Sequence, residues 1–533
     1  MFTHLFFWGF FLIVTLIYSL IYKVNKWRVV YLLFVSLFFY YKTSGVFLLL
    51  LLFTICSDFH WGNKISESHN ETKRKLYLSV SVILNLSLLG YFKYAYFFVE
   101  SVNQIAGTDL NYFNHFASFS NTWFSSGFNV GKVLVPVGVS FFTFQSLSYV
   151  FDIYRKKINP VNSIFDYGFF VCFFPHLVAG PIVKAHDFVH QIYQPYSLSK
   201  HEFGLSVFWI LNGFCKKIVA DYLAVNFIDR IFDNPNYYSG LETLIGIFGY
   251  SLQIYMDFSG YTDMAIGIAL LYGFRLKPNF SSPYKASNTS DFWKRWHISL
   301  SSWLQEYLYF PLGGNRNGTT GSYIAIFVIA LFLVLLSGSI WLLLGLLIMA
   351  CLAVALHRFF PNFRNGFNTN INLMVTMLLG GLWHGSSWLF LIWGGLNGIG
   401  LIAHKQWQKY FPKKNENSAY KISMILITLS FISFTRIFFR SENLQTVNLI
   451  FDRLQHHFGV ELLFKICLAY KSVFLLIASG YLLHWLPETW KVKYRNWFAS
   501  QSYTTMVFSC IAVVFIMYQM MGSKMQPFIY FQF

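Results

Sequence analysis

Charge is scarce in this chain of 533 residues: Asp, Glu, Lys and Arg together make up 12%, against roughly 25% in soluble domains. That scarcity, with 56% hydrophobic residues and a mean hydropathy of +0.48, excludes a cytosolic enzyme, a disordered tail and a secreted disulfide scaffold. Cysteine is scarce too. The six (Cys56, Cys172, Cys215, Cys351, Cys467 and Cys510) lie in or beside apolar stretches without CxxC spacing, so they read as reduced packing residues rather than disulfides or metal ligands. Acidic residues are outnumbered by basic ones, 22 to 40, for a net charge of +18. In a soluble protein that excess would suggest nucleic acid. Here the positives fall mostly in short loops beside apolar segments, where they set topology and meet lipid headgroups, so no nucleic-acid partner is expected. Also lacking are internal repeats, low-complexity tracts, a soluble domain and the GxSxG, HExxH and P-loop signatures. What remains is an all-α polytopic membrane protein surrounded by lipid.

Residues 5–22 are long enough to cross a bilayer and lack a basic leader or a small-residue cleavage site, which predicts a retained helix. Lys23, Lys26 and Arg28 follow at once, and Lys64, Lys73, Arg74 and Lys75 form a second basic cluster. The positive-inside rule places both clusters in the cytoplasm and the N-terminus outside, with residues 29–56 crossing out and back and a helix over 76–92 leading outward. Residues 95–131 then contain no Lys or Arg and are rich in Asn, Ser and aromatics. They are assigned to the outer face, either as a sugar-polymer contact or as an interfacial aromatic belt. Apolar stretches recur to residue 521 and imply roughly ten to thirteen crossings. The chain is read as one integral membrane domain over 1–533, with N-terminal helices in 1–98, a core in 133–404 and C-terminal helices in 420–533.

Two histidines carry the chemistry. The run from Asp291 to Leu300 places Trp293, His297 and Ser301 on one face at i, i+4, i+8 if it is helical, with Lys294 and Arg295 projecting elsewhere. Its polarity at membrane depth requires a water-filled cavity or burial in protein. Further on, His384 is the only titratable side chain within 373–401. It sits in the sequence Gly380-Gly-Leu-Trp-His384-Gly-Ser-Ser-Trp388. The GxxxG spacings Gly381/Gly385 and Gly394/Gly398 would let helices approach closely and pin the ring. Imidazole, titrating near neutrality, suits removal of a proton from a sugar hydroxyl attacking an acyl thioester and its return to the leaving thiolate. The spacing of the two histidines supports no metal site.

Seven segments carry a resemblance to a known family. They are Val135-Pro-Val-Gly-Val-Ser-Phe-Phe-Thr-Phe-Gln, Phe174-Pro-His-Leu-Val-Ala-Gly-Pro-Ile, Met256-Asp-Phe-Ser-Gly-Tyr-Thr-Asp-Met-Ala, Phe292-Trp-Lys-Arg-Trp-His-Ile-Ser-Leu-Ser, Tyr309-Phe-Pro-Leu-Gly-Gly-Asn-Arg, Gly381-Leu-Trp-His-Gly and Pro527-Phe-Ile-Tyr-Phe-Gln-Phe. In this order, over about residues 1–533, they resemble the membrane-bound O-acyltransferase family in its alginate O-acetyltransferase branch, with the teichoic acid D-alanyl transferases as cousins. The resemblance implies a ring of tilted transmembrane helices with re-entrant segments, an outer funnel and an inner tunnel meeting near the catalytic histidine. It matches His384 to that histidine and His297 to the second active-site histidine. It implies a cytosolic acyl thioester such as acetyl-CoA as donor substrate, no bound cofactor, and an extracytoplasmic glycan or partner protein as acceptor.

The sequence therefore predicts an O-acetyltransferase of a cell-envelope polysaccharide in a bacterial inner membrane, with His384 as base and His297 orienting donor or acceptor. Trp293, Trp296, Trp383, Trp388 and Ser301 are expected to contact substrate. Asp257, Ser259, Tyr261 and Asp263 either line the tunnel or organise helix packing, and Asn315 and Arg316 either hold phosphate or cap a loop. The acceptor stays open among alginate, cellulose, peptidoglycan, lipopolysaccharide and a periplasmic relay protein. Two rival readings are a transporter, which should show paired half-helices, and a non-catalytic scaffold for a separate periplasmic acetyltransferase.

Overall fold

The computed structural model describes residues 5–131, 135–177, 180–337, 339–359, 361–411 and 417–520. The segment Pro527–Phe533 and Val178 and Ala179 of the second motif lie outside the described residues, as does the side chain of Cys351. Among the described residues the chain is helical, with no strand, as expected where every backbone polar group at membrane depth must be satisfied within its own segment.

The first predicted helix forms over Leu5–Ile21. Asn25–Ser44 and Leu48–Glu67 follow, broken at Gly45, whose φ of +57° suits glycine. Arg28 does not stay in the first basic loop. It is buried, donates to the Gln194 carbonyl at 2.9 Å and lies 5.0 Å from the Phe274 ring centre. The helix expected over 76–92 runs on: Glu71–Leu89 passes through a π-helical turn, Gly90–Tyr94, into Ala95–Ala106.

Fewer helices are simple spans than the apolar stretches suggested. Among the described residues, four stretches are long and apolar enough to cross a bilayer: Asn25–Glu67, Glu71–Ala106, Lys200–Asp233 and Ser418–Arg440. Two bent pairs, kinked by 91° and 111°, have the form of broken spans or re-entrant loops. The other apolar stretches form shorter helices, such as Val139–Tyr154, whose residues are nearly all buried within the protein, or long helices interrupted by polar side chains, such as Gly240–Leu271.

Helices Lys200–Leu223 and Gly240–Leu271 open with matching capping boxes, Ser199 with Glu202 and Ser239 with Glu242. They pack so closely that a Cβ on Gly213 would stand 2.5 Å from the Gly260 carbonyl oxygen. Phe169, Phe173, Phe188 and Phe274 fill the neighbouring core with tilted and stacked ring pairs 4.9 to 6.1 Å apart. The helical hairpin of Pro361–His384 and Trp388–Tyr410, at whose turn His384 sits, packs against Thr289–Arg295 and Ser418–Arg440, and the latter helix joins it to Gly240–Leu271.

Candidate active site

His384 is the last residue of its helix, and the hairpin around it is clasped by glycines. A Cβ on Gly381 would lie 2.3 Å from the Phe390 carbonyl oxygen, and one on Gly394 would lie 2.4 Å from that of Met377. No side chain fits there, so the two helices touch backbone to backbone and fix the histidine's position. Helix ends leave carbonyls without intrahelical partners, and here a neighbouring element supplies them. The π-turn Gly90–Tyr94 directs Lys93 Nζ to the carbonyls of Trp383 (2.5 Å) and His384 (3.1 Å), and Tyr94 Oη to that of Leu382 (2.6 Å). Lys93 is 7% exposed, and its ammonium stands at the negative end of the helix dipole. Single π-turns of this kind recur at functional sites.

The His297 segment departs from the expected continuous helix. Thr289–Arg295 ends, Trp296 is extended, and His297 adopts φ 46°, ψ 53° before Ile298–Leu304 resumes. A left-handed conformation at a residue with a Cβ costs about 1–3 kcal/mol and persists only where its surroundings impose it. They do so here: the Ser281 N–H donates to the Arg295 carbonyl and the Ile298 N–H to the Asn279 carbonyl, both at 2.9 Å. Asn279 Oδ1 accepts from the Ser299 N–H (3.0 Å) and hydroxyl (2.9 Å). A backbone N–H can only donate, which identifies that end of the amide as its oxygen. The contact of His297 Nδ1 with the same oxygen, at 3.3 Å, therefore needs Nδ1–H and leaves the lone pair of a neutral ring on Nε2.

The break turns His297 toward His384. Their ring centres are 6.3 Å apart, and the two residues are 0% and 4% exposed. Trp383 lies 5.8 Å from His297 and 5.0 Å from His384, while Trp393 (5.1 Å) and Phe439 (5.3 Å) meet His384 edge-on.

Two cavities of about 110 Å³ or more reach His384. The larger, about 320 Å³, is walled by Trp293, Lys294, Ser301, Gln305, Thr376 and Trp393 among others. Trp293 and Ser301 thus do meet at one site, although not through one helix face. The Trp293 Nε1–H is buried with no hydrogen-bond partner among the described residues. Through Ser302 and Gln305 this cavity adjoins a rim space of about 490 Å³ edged by Arg155, Lys157, Lys184 and Glu306. The smaller cavity, about 110 Å³, is lined by Lys93, residues 135–141, Trp383 and His384. Among the described residues the two share His384 alone.

The remaining predicted site residues lie outside these two cavities. Asp257 pairs with Lys217 Nζ (2.6 Å), which also meets Asp221 (2.7 Å), and Asp263 pairs with Lys216 Nζ (2.6 Å) and Asn212 Nδ2 (2.7 Å). Both carboxylates join helices Lys200–Leu223 and Gly240–Leu271, and neither lines the cavities described above. Trp296 stacks on Phe292 beneath the Arg436 guanidinium, 4.4 Å from its ring centre, and Trp388 packs on Phe97 at 5.0 Å. Asn315 accepts from Tyr309 Oη at 2.7 Å, and the exposed Arg316 sits in the same turn, which Asn372 ties to the His384 helix through the Gly314 and Asn317 carbonyls. The sequence reading passed over Lys93, Asn279 and the rim cluster, where Lys157 and Lys184 hold Glu306 beside Asp152 and His186. A signal for Lys93 was present: it is the only charged residue between Lys75 and Glu100.

The sequence profile of the membrane-bound O-acyltransferase family matches residues 7–370. The chain is 34% identical over 425 residues to the probable alginate O-acetylase of Pseudomonas aeruginosa, covering 79% of this chain and 68% of that protein. It is 33% identical over 442 residues to the peptidoglycan O-acetyltransferase of Helicobacter pylori, covering 78% and 71%. To the teichoic acid D-alanyltransferase of Bacillus subtilis it is 23% identical over 305 residues, covering 56% and 67%.

Proposed function

The chain belongs to the membrane-bound O-acyltransferase family, and from that premise we propose that this multi-pass acyltransferase moves an acetyl group from a cytosolic thioester to a hydroxyl of a cell-envelope polysaccharide. The observation that carries the reading is that His384 forms the one wall common to two cavities, with His297 beside it.

The rim space lies with the basic loops expected in the cytoplasm. Arg74 donates to the Tyr154 carbonyl at 2.6 Å next to Arg155, and Asn25 and Arg28 donate to the carbonyls of Ile192 and Gln194 beyond His186. The smaller cavity is lined by residues 135–141, which follow within a few positions the segment 95–131 that lacks Lys and Arg. This supports an inner-membrane protein with its N-terminus outside, a donor such as acetyl-CoA entering past Arg155, Lys157 and Lys184, and an acceptor entering from the other face. The named relatives act on alginate and peptidoglycan, which favours an envelope glycan, reached directly or through a periplasmic relay protein.

In the reaction His384 takes the proton of the acceptor hydroxyl as its oxygen attacks the thioester carbonyl carbon. The tetrahedral intermediate collapses, the carbon–sulfur bond breaks, and the departing thiolate takes the proton back from the imidazolium. His297, neutral with its lone pair on Nε2, positions the acceptor or the His384 ring, and Asn279 holds His297 in that state. The test is transfer of labelled acetyl from acetyl-CoA by the purified chain in lipid nanodiscs. Wild type should label added glycan or a partner, and His384→Ala and His297→Ala should not. Full activity in His384→Ala would overturn the mechanism.

A further inference from the structure

His384 borders a third void. It measures about 10 Å³, room for one water-sized group, and it shares Trp393 as well as His384 with the larger cavity. Ile254, Phe292, Trp296, Ile432 and Phe439 complete its apolar walls. The polar side chains at its edge are engaged by protein: Thr435 Oγ1 donates to the Ile432 carbonyl (2.9 Å), Asn397 Nδ2 to the Trp393 carbonyl (2.8 Å) and Arg436 Nη1 to Tyr284 Oη (2.5 Å). We infer that this void is the acyl pocket, which takes the methyl group of a two-carbon donor while the thioester carbon lies against His384, and which turns away longer acyl chains. The inference rests on the acyl-transfer reading above and adds the side chains that limit the transferred group to two carbons.

The walls have little room to retreat. Trp393 is held between Trp293 (5.8 Å) and Phe439 (5.1 Å), and the next residue is Gly394, whose backbone abuts Met377. Phe439 is backed by Phe390 at 5.2 Å, and Trp296 is fixed between Phe292 and Arg436. In a close-packed surround each extra methylene must displace a ring or a branched side chain. Discrimination of about tenfold or more per methylene is expected of such a pocket. Ile254 and Ile432 are the walls that truncation can lower without touching the rings around His384.

The experiment compares acetyl-, propionyl- and butyryl-CoA with the full-length chain in nanodiscs, measuring His384-dependent thiol release. De-O-acetylated alginate oligomers and peptidoglycan fragments serve as acceptor probes. Wild type should lose about tenfold or more in kcat/KM with each methylene. Ile254→Ala and Ile432→Ala should raise the butyryl-to-acetyl ratio about tenfold or more, whatever their absolute rates, because a loss of folding lowers all three donors alike. Equal use of acetyl and butyryl by wild type, or unchanged ratios in the variants, would overturn the pocket and leave the acyltransferase standing. If an alanine variant does not fold, Ile432→Val and the wild-type profile decide by the same criteria. No His384-dependent release from any of the three thioesters would overturn the donor reading and the pocket with it.

Discussion

Replacing Lys93 by Met tests how the histidine is held. Nζ makes two hydrogen bonds to the last carbonyls of the His384 helix, and Met keeps most of the side-chain volume while removing both. A hydrogen bond from a charged donor contributes about 1.5–3 kcal/mol. The substitution also removes the desolvation cost of a buried ammonium, so net stability should fall by only about 1–3 kcal/mol. Activity should suffer more. With its two terminal carbonyls unbound and no cation at its negative end, the helix C-terminus shifts, and about 1 Å of misplacement of a reacting group costs about 100-fold in rate. We therefore expect kcat for acetyl transfer to fall about 100-fold with KM moved by less than about threefold, the pattern of an interaction felt in the transition state. Tyr94→Phe, which removes only the bond to Leu382, should cost far less, and Lys93→Arg should recover part of kcat by restoring the cation. Steady-state kinetics in nanodiscs, with thermal unfolding of the same samples as control, separates the two effects. A folded Lys93→Met variant with kcat within about threefold of wild type would refute the positioning role.

Asn279→Ala removes the one oxygen shared by Ser299 and His297; it should cost about 1–3 kcal/mol in stability and reduce acetyl transfer nearly as far as His297→Ala, measured on matched folded fractions. Gly381→Ala forces a methyl to 2.3 Å from a backbone oxygen and should destabilise the hairpin by at least about 1–3 kcal/mol, visible as a lower unfolding temperature in detergent. Lys217→Met takes away the ammonium that Asp257 and Asp221 both face and should cost about 3–5 kcal/mol while leaving turnover per folded molecule intact, which a tunnel-lining role for Asp257 would not allow. At the rim, the hydrogen bond that His186 donates to the Asp152 carboxylate raises the pKa of His186 against an opposing effect of burial, helped by the charges of Asp152, Asp187 and Glu306. A raised pKa gives stability that is complete below the unfolded value of about 6.5 and lost as pH rises through the folded one. Wild type should therefore lose unfolding temperature above about pH 6.5 by an increment that His186→Gln lacks.

Much of the site was legible because imidazole stands out in an apolar run. His384 is the sole titratable group over 373–401, and the glycines that clasp its hairpin are spaced to be read. The geometry around His297 was not legible in the same way. Helical spacing put Trp293, His297 and Ser301 on one face, yet the chain breaks at Trp296 because residues 279–281 pair with 295–298. That pairing is tertiary, and nothing local to the motif announces it. Lys93 was passed over for a related reason. A lone lysine where an apolar run meets a polar segment reads as a snorkelling boundary residue, and only the π-turn, together with a helix end arriving nearly three hundred residues later in the chain, draws it inward.

The carboxylates show what the pattern alone can and cannot decide. Asp257 and Asp263 on an apolar helix require either a cavity or a counter-ion, and periodicity does not distinguish the two. The deciding feature was elsewhere in the sequence. Lys216 and Lys217 are adjacent cations within another apolar stretch, 203–227. A buried and a half-buried lysine on one helix and two buried aspartates on the next satisfy each other only when the helices pack in a single register, and Gly213 against Gly260 permits the approach that register needs. The same polar-in-apolar signal at His384 resolved the other way, because no carboxylate among the described residues lines the cavities that meet on its ring. A buried ionisable group whose complement can be found on another apolar helix is a packing pair first, and one whose neighbours are tryptophans and a second histidine belongs to the chemistry.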